Sequence, residues 1–125
     1  DSIDPDALAD AQPANEQIEK WAIEDWGADV AAEVIAQWKQ KSRPRDVLRA
    51  EITSFRDRLP QIREAVSKDL LPSTTVANAI RESGGPTAPE GMNAPIEEYH
   101  NALLRARYIR NRFTILDLAA ELGAL

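Results

Sequence analysis

The stretch RARYIRNRF, residues 105–113, holds the side chains of this chain that are best suited to bind an anion. Four arginines lie within eight residues there, although the whole chain has 15 basic and 21 acidic residues and a net charge of -6. Overall acidity argues against binding to nucleic acid or anionic lipid. The arginines therefore indicate either a site for an anionic ligand or ion pairs within the fold.

A helical projection separates the four arginines, with residues 96–113 taken at about 100° per residue. Arg105 and Arg112 fall opposite the apolar arc, so we expect both to be solvated. Arg110 falls inside the apolar arc, and Arg107 falls at its border. A guanidinium removed from water requires an anion or several acceptors, so Arg107 and Arg110 should have partners.

The partner of Arg110 has two candidates on sequence grounds. One is a carboxylate of the chain itself, for which Asp117 is the most plausible because a turn at Thr114 would bring it back within reach. The other is the phosphate of a ligand. With Asp117 as its partner, Arg110 would dock the last helix, while Arg107 and His100 would border a more accessible surface.

Other chemistry-bearing motifs are missing from the sequence. There is no cysteine, and the one histidine, His100, cannot build a metal site without several carboxylates around it. No GxGxxG, Walker-type loop, HExxH or serine elbow is present. We therefore assign no catalytic, cofactor-binding or metal-binding residue, and we expect the chain alone to be inactive.

The elements that must position these side chains are helical, because no segment alternates with period two. Asn15 can cap a helix that ends near Gly27, and a second helix follows until the stretch KSRPR. Apolar residues at heptad-like spacing run from Leu48 to Val66. Pro60 interrupts that run, which predicts a kink or a split into two shorter helices near Arg58.

The second half of the chain contains three more predicted helices. Ser73 can cap the first, which Gly84 would end in a left-handed conformation before a connector rich in proline and glycine. Pro95 suits the first turn of a helix that continues through residue 113. Thr114 can cap a short last helix ending at Gly123. The sequence predicts an all-α fold, a small bundle of about six or seven helices in one domain over residues 1–125.

The last third of the chain, residues 82–125, resembles the carboxyl terminus of the glycerol-1-phosphate dehydrogenases, and in particular their bacterial AraM-like branch. That family belongs to the iron-containing alcohol dehydrogenase superfamily. The resemblance rests on a GxPTxPE connector and on an ending similar to ARxIRxRxTxLDLAxELG. The residues that match this ending are Ala106, Arg107, Ile109, Arg110, Arg112, Thr114, Leu116, Asp117, Leu118 and Gly123.

The resemblance implies an NAD(P)-dependent enzyme that reduces dihydroxyacetone phosphate to sn-glycerol 1-phosphate with the help of a divalent metal. The family holds its metal with one aspartate and two histidines that lie upstream of the region matched here. Neither those histidines nor a glycine-rich pyrophosphate loop occurs in these 125 residues. We therefore expect the chain to be the carboxyl-terminal helical portion of a larger dehydrogenase.

The partner expected from this interpretation is the missing nucleotide-binding part of the same protein, and association between copies of the chain stays open. The absence of cysteine is compatible with a cytoplasmic location, and no apolar run is long enough to span a membrane. The alternative is a stand-alone helical module for protein–protein interaction. Such a module should have a partner groove of its own, whereas an excised portion should expose a surface that formerly packed on missing chain.

Overall fold

The computed structural model describes residues 3–125, and this part of the chain is built from helices without any strand. The all-α prediction of about six or seven helices is confirmed. The elements are α1 (Pro5–Ala11), α2 (Asn15–Lys41), α3 (Arg45–Ser67), α4 (Ser73–Glu82), a 3₁₀ helix (Pro89–Met92), α5 (Ile96–Ala106) and α6 (Ile115–Glu121).

The helices fall into two compact units. The first combines the chain up to Arg56 with Leu103–Leu125 and is called the core unit below. The second, Asp57–Ala102, is called the central unit. The prediction of one domain over the whole chain stays a prediction.

The core unit contains the buried apolar side chains of the described residues, in two clusters. In the first, Tyr108 packs on four residues of α2, and Trp21, Trp26 and Trp38 border the cluster. The second joins Ala9 of α1 to Leu48 and Ile52 of α3. Burial of these side chains is what stabilises the unit, since each removes apolar area from water. The α2 members of the first cluster are Ile18, Ala22, Ala31 and Val34.

The long helix α2 is kinked at Gly27, whose φ of 74° and ψ of 162° are not helical. A positive φ of this kind favours glycine, because any β-carbon would be strained there. The sequence prediction of two helices that meet near Gly27 is thus confirmed as two arms of one kinked helix. Asn15 begins the helix but does not cap it. Its Oδ1 instead accepts hydrogen bonds at 3.0 Å from the Trp38 indole and from the Ser42 hydroxyl.

Of the kink or split predicted at Pro60, the split is wrong, because α3 runs unbroken from Arg45 to Ser67 with the proline inside it, and the kink stays a prediction. Proline removes only one donor from the helix, and the hydrogen bonds of neighbouring turns can hold the helix together around it. In the central unit, Ser73 is the first helical residue of α4 rather than its cap, which is Pro72. Gly84 has the predicted left-handed conformation, with φ of 78°.

The predicted continuation of α5 to residue 113 is also wrong, because the helix ends at Ala106. Beyond that point the backbone keeps only local turn hydrogen bonds to itself and gains partners on α2. The carbonyls of Arg107 and Arg112 accept hydrogen bonds from the Lys41 ammonium. The Asn111 N–H donates to the side chain of Gln37 at 3.3 Å. These tertiary partners replace the helical ones, which a periodicity in the sequence cannot anticipate.

Candidate functional site

The site is centred on Asp117, which is 2% exposed and lies in the first turn of α6. Its Oδ2 accepts hydrogen bonds from the N–H of Thr114 at 2.7 Å and from the Thr114 hydroxyl at 2.9 Å. Thr114 is therefore the N-cap of α6, as predicted from the sequence. One carboxylate oxygen fixes the start of the helix, and Oδ1 remains for a second partner.

That second partner is Lys41, the last residue of α2. Its Nζ lies 2.8 Å from Asp117 Oδ1, and both side chains are buried. The ammonium also donates to the backbone carbonyls of Arg107 and Arg112, so each of its three protons has an acceptor. A buried ion pair with its remaining hydrogen-bonding groups satisfied holds its geometry firmly, because loss of either partner leaves a charge without compensation.

Arg107 is the second buried cation of the site, with only 5% of its surface exposed. Its Nη2 donates to Gln12 Oε1 at 3.2 Å and to the Tyr108 hydroxyl at 3.1 Å. The guanidinium also lies over the rings of Tyr108 and Trp38, at 4.9 and 5.9 Å from their centroids. Its Nε is buried and has no hydrogen-bond partner within residues 3–125. Neutral acceptors and aromatic faces thus surround this charge.

One arginine and two carboxylates close the site. Arg43 forms ion pairs with Glu121 of α6 and with Glu51 of α3. Burial raises the pKa of the Glu121 carboxyl above its usual range. Arg43 and Arg107 lower that pKa by smaller amounts, while the nearby carboxylates of Asp117 and Glu51 add to the increase. The arginine pair therefore offsets only part of the cost of burying this carboxylate.

These groups surround a cavity of about 50 Å³. Gln12, Asn15, Ser42 and Trp38 contribute neutral lining groups, and the charged lining residues are Lys41, Arg43, Arg45, Arg107 and Glu121. Gln12 also connects the cavity lining to α6, because its amide nitrogen donates a hydrogen bond to the carbonyl of Ala120 at 3.0 Å. The arrangement is a small polar chamber with an excess of positive charge, which is suited to an anion.

The predicted pairing of Arg110 with Asp117 is wrong. Arg110 is exposed and forms no ion pair with any residue between 3 and 125, whereas Asp117 pairs with Lys41. The reason is that α5 ends at Ala106, so a projection at 100° per residue has no meaning at position 110. The docking of the last helix that we expected of Arg110 belongs instead to Lys41, through its pair with Asp117.

The other arginines also differ in part from their predictions. Arg105, expected to be solvated, forms an ion pair with Asp25 and lies over the Trp21 ring at 5.4 Å. Arg107 is buried rather than at the border of an accessible surface. Arg112 has an exposed side chain, as predicted.

His100 does not join this site. It belongs to the central unit, is exposed, and contacts the ring of Tyr99 at 5.9 Å between centroids. No group of three or more histidine, aspartate or glutamate side chains in residues 3–125 could hold a metal ion.

Sequence reasoning missed two contributions to the site. The stretch KSRPR was interpreted only as the end of a helix, yet it supplies Lys41, Arg43 and Arg45 to the cavity. Three cations in five residues were a usable signal for an anion site. Gln12 carried no signal, because a single glutamine in a polar segment is unremarkable.

Comparisons with known proteins give one partial match. A stretch of 43 residues is 44% identical to the glycerol-1-phosphate dehydrogenase (NAD(P)+) of Thermofilum pendens. It covers 34% of this chain and 12% of that enzyme. No family model and no solved structure matches the chain. Among residues 3–125, no helix has both the length and the apolar character needed to cross a membrane. The chain is thus similar, over about a third of its length, to an oxidoreductase of the glycerol-1-phosphate dehydrogenase type.

Proposed function

We propose that this chain is the carboxyl-terminal helical portion of an NAD(P)-dependent enzyme that reduces dihydroxyacetone phosphate to sn-glycerol 1-phosphate, of the AraM-like branch. The single observation that carries the proposal is the 44% identity over 43 residues to a glycerol-1-phosphate dehydrogenase. The ending that resembles the family supplies Arg107 and Asp117, which hold together the end of the core unit. These two residues are thus ones on which the local fold depends.

The surface of the central unit supports the idea of a portion that packs on further chain. No residue between 57 and 102 is buried. Its helices are amphipathic, yet many large apolar side chains of the unit are exposed; these are Val66, Leu70, Leu71, Val76, Ile80, Met92 and Ile96. An apolar helical face is stable when it is covered by another surface. We propose that the nucleotide-binding part of the same protein covers it, and a second copy of the chain is a further candidate.

Cofactor and metal would belong to that other part. The family uses NAD(P) and a divalent metal, but the donor set of this chain fits neither. His100 is exposed without a cluster of carboxylates, and the described residues contain no glycine-rich loop between a strand and a helix. This chain would therefore contribute helical scaffold rather than hydride transfer or metal coordination. A cytoplasmic location is part of the same proposal.

The proposal is tested by the coding DNA upstream of the codon for Asp1. We expect a continuous reading frame that encodes a glycine-rich loop and two spaced histidines. A start codon directly upstream, preceded in frame by a stop codon, would contradict the proposal and favour the stand-alone interaction module.

A biochemical test complements the DNA sequence. The purified 125-residue chain should show no oxidation of NADH or NADPH with dihydroxyacetone phosphate above a protein-free blank. Hydride transfer requires the cofactor and the metal site in one active centre. Turnover by this chain that a chelator abolishes would show that the active site lies within it. It would contradict the proposal that cofactor and metal bind to another part of the protein.

A further inference from the structure

The basic cavity of the core unit contains more positive charge than its own carboxylates neutralise. Four cationic side chains line it, Lys41, Arg43, Arg45 and Arg107, against the single lining carboxylate of Glu121. The four cations differ in their partners within residues 3–125. Two of them contact carboxylates, and the other two contact only neutral acceptors.

Two of the cations are neutralised by acidic side chains. Lys41 is held by Asp117 at 2.8 Å, and Arg43 is shared by Glu51 and Glu121. Both carboxylates of the Arg43 cluster contact that guanidinium, and neither forms an ion pair with Arg107, although Arg107 is near enough to lower the pKa of Glu121.

The other two cations have neutral acceptors only. Arg45, which is exposed, donates to the backbone carbonyls of Ala9 and Gln12. Arg107 donates to Gln12 and Tyr108, and it forms no ion pair with a carboxylate of residues 3–125. An exposed guanidinium such as Arg45 is stabilised by water, but a guanidinium that is 5% exposed has lost most of that hydration.

Arg107 also retains an unused donor. A guanidinium has five N–H groups in a fixed plane, and the buried Nε of Arg107 has no partner in the described part of the chain. Both protons of Nη2 are already donated to Gln12 and Tyr108, so the Nε–H is the buried donor that an oxygen of an oxyanion such as phosphate could accept. A buried charge without a carboxylate in direct contact and a buried donor without an acceptor therefore occur in one side chain.

The volume of the cavity fits such an anion. A single ordered water needs only about 10–15 Å³, and the cavity offers about 50 Å³. Hydroxyl and amide groups of Ser42 and Asn15 also line it and could complete the coordination of a tetrahedral ion.

We propose that this cavity binds one phosphate group, with Arg107 as its buried anchor and Arg45 as the cation at its exposed side. The inference rests on the residues of this chain alone and does not depend on the proposed dehydrogenase. Free inorganic phosphate and the phosphate of a monoester share the chemistry that the cavity recognises.

The test is isothermal titration calorimetry of the 125-residue chain with inorganic phosphate and, separately, with methyl phosphate. Ionic strength is held constant with chloride, because screening alone changes the affinity of any anion. We expect saturable binding of one phosphate per chain. Tighter binding of methyl phosphate than of inorganic phosphate would identify a monoester as the ligand class, and binding of inorganic phosphate alone would identify the free ion.

Arg107→Gln should weaken binding about ten- to a hundredfold, since it removes a charge-assisted hydrogen bond. Arg110→Gln is the matched control: it removes the same charge three residues away at an exposed position and should change affinity less than about twofold.

A second variant keeps the proposal testable should Arg107→Gln fail to fold. Asn15→Asp preserves the oxygen that accepts from Trp38 and Ser42 but places a negative charge on the cavity wall. Its circular dichroism should be unchanged and its phosphate affinity reduced at least about tenfold by charge repulsion. Absence of saturable phosphate binding, or binding that Asn15→Asp leaves unchanged, would overturn the proposal and assign the cavity to ordered water.

Discussion

The core unit and the central unit are both helical, yet they differ in what their helices bury. In the core unit, α2 packs its apolar stripe on Tyr108, and Lys41 and Asp117 form a buried ion pair. In the central unit, α4 is amphipathic, but none of its residues is buried. The difference teaches that an amphipathic pattern fixes a helix and its face, whereas burial depends on a surface opposite that face.

The buried ion pair of the core unit gives the largest change in stability expected from this comparison. Lys41→Met leaves the carboxylate of Asp117 buried without a counter-ion and should destabilise the chain by about 3–5 kcal/mol. Lys39→Met is the matched control two residues earlier on the same helix. Its pair with Glu19 is exposed, with 58% and 37% of the side-chain surfaces accessible, so it should cost only about 0–1 kcal/mol. Urea denaturation measures both, and equal losses would contradict the buried role of Lys41.

Apolar truncations sharpen the same comparison. Ile18→Ala removes a side chain that is 1% exposed in the core unit and should cost about 2–5 kcal/mol, because it leaves a cavity. Ile80→Ala in α4 removes the same atoms from a side chain that is 41% exposed, and it should change stability by about 0.5 kcal/mol or less. Thermal denaturation of the two variants compares them directly. A loss at Ile80 as large as that at Ile18 would show that the central unit is covered in solution.

A helix cap gives a smaller effect. Thr114→Ala removes the hydroxyl that lies 2.9 Å from Asp117 at the start of α6 and should cost about 1 kcal/mol. Thr75→Ala, in the first turn of α4, is the control, because the Thr75 hydroxyl has no hydrogen-bond partner within residues 3–125. The substitution Thr75→Ala should change the free energy of unfolding by no more than about 0.5 kcal/mol. If urea denaturation gave the same result for both, the cap of α6 would not contribute to stability.

The pH dependence of Glu121 is the smallest expected effect. Since burial raises the pKa of this carboxyl in the folded chain, the folded state holds its proton more tightly than the unfolded state. The contribution of Glu121 to stability is thus full below the unfolded pKa, about 4.3, and is lost as pH rises through the folded pKa.

This loss is measured as a difference at each pH: the free energy of unfolding of the wild-type chain minus that of Glu121→Gln, which cannot titrate at this position. The difference should decline as pH rises above about 4.3 and then level off. An increasing difference over the same range would mean that Arg43 lowers the pKa more than burial raises it.

The sequence predicts local features of this fold well. The left-handed conformation of Gly84, the break at Gly27 and the cap at Thr114 each follow from the chemistry of one residue and its neighbours. The all-helical class follows from periodicity alone. These features depend on interactions within about one turn of helix, which a sequence displays directly.

The sequence does not predict which distant groups meet. The end of α5 at Ala106 depends on Lys41 and Gln37, which bond to the backbone that follows it. Asp117 pairs with Lys41 across 76 positions of the chain rather than with the nearby Arg110. Ion-pair partners are chosen by the packing of helices, and a projection of one helix contains no information on the neighbouring helix. Of the residues singled out in the sequence, Arg107 and Asp117 therefore belong to the candidate site, whereas Arg110 and His100 do not.

Hydrogen–deuterium exchange of the 125-residue chain, followed by mass spectrometry, tests most directly whether the two units differ as described. Exchange reports the free energy of local opening, which is high for packed helices and low for helices whose side chains are solvated. We predict strong protection of α2 and weak protection of α4 and of the connector that follows it. Protection of α4 as strong as that of α2 would contradict the account, because it would mean that the central unit is already packed and has no uncovered face for further chain.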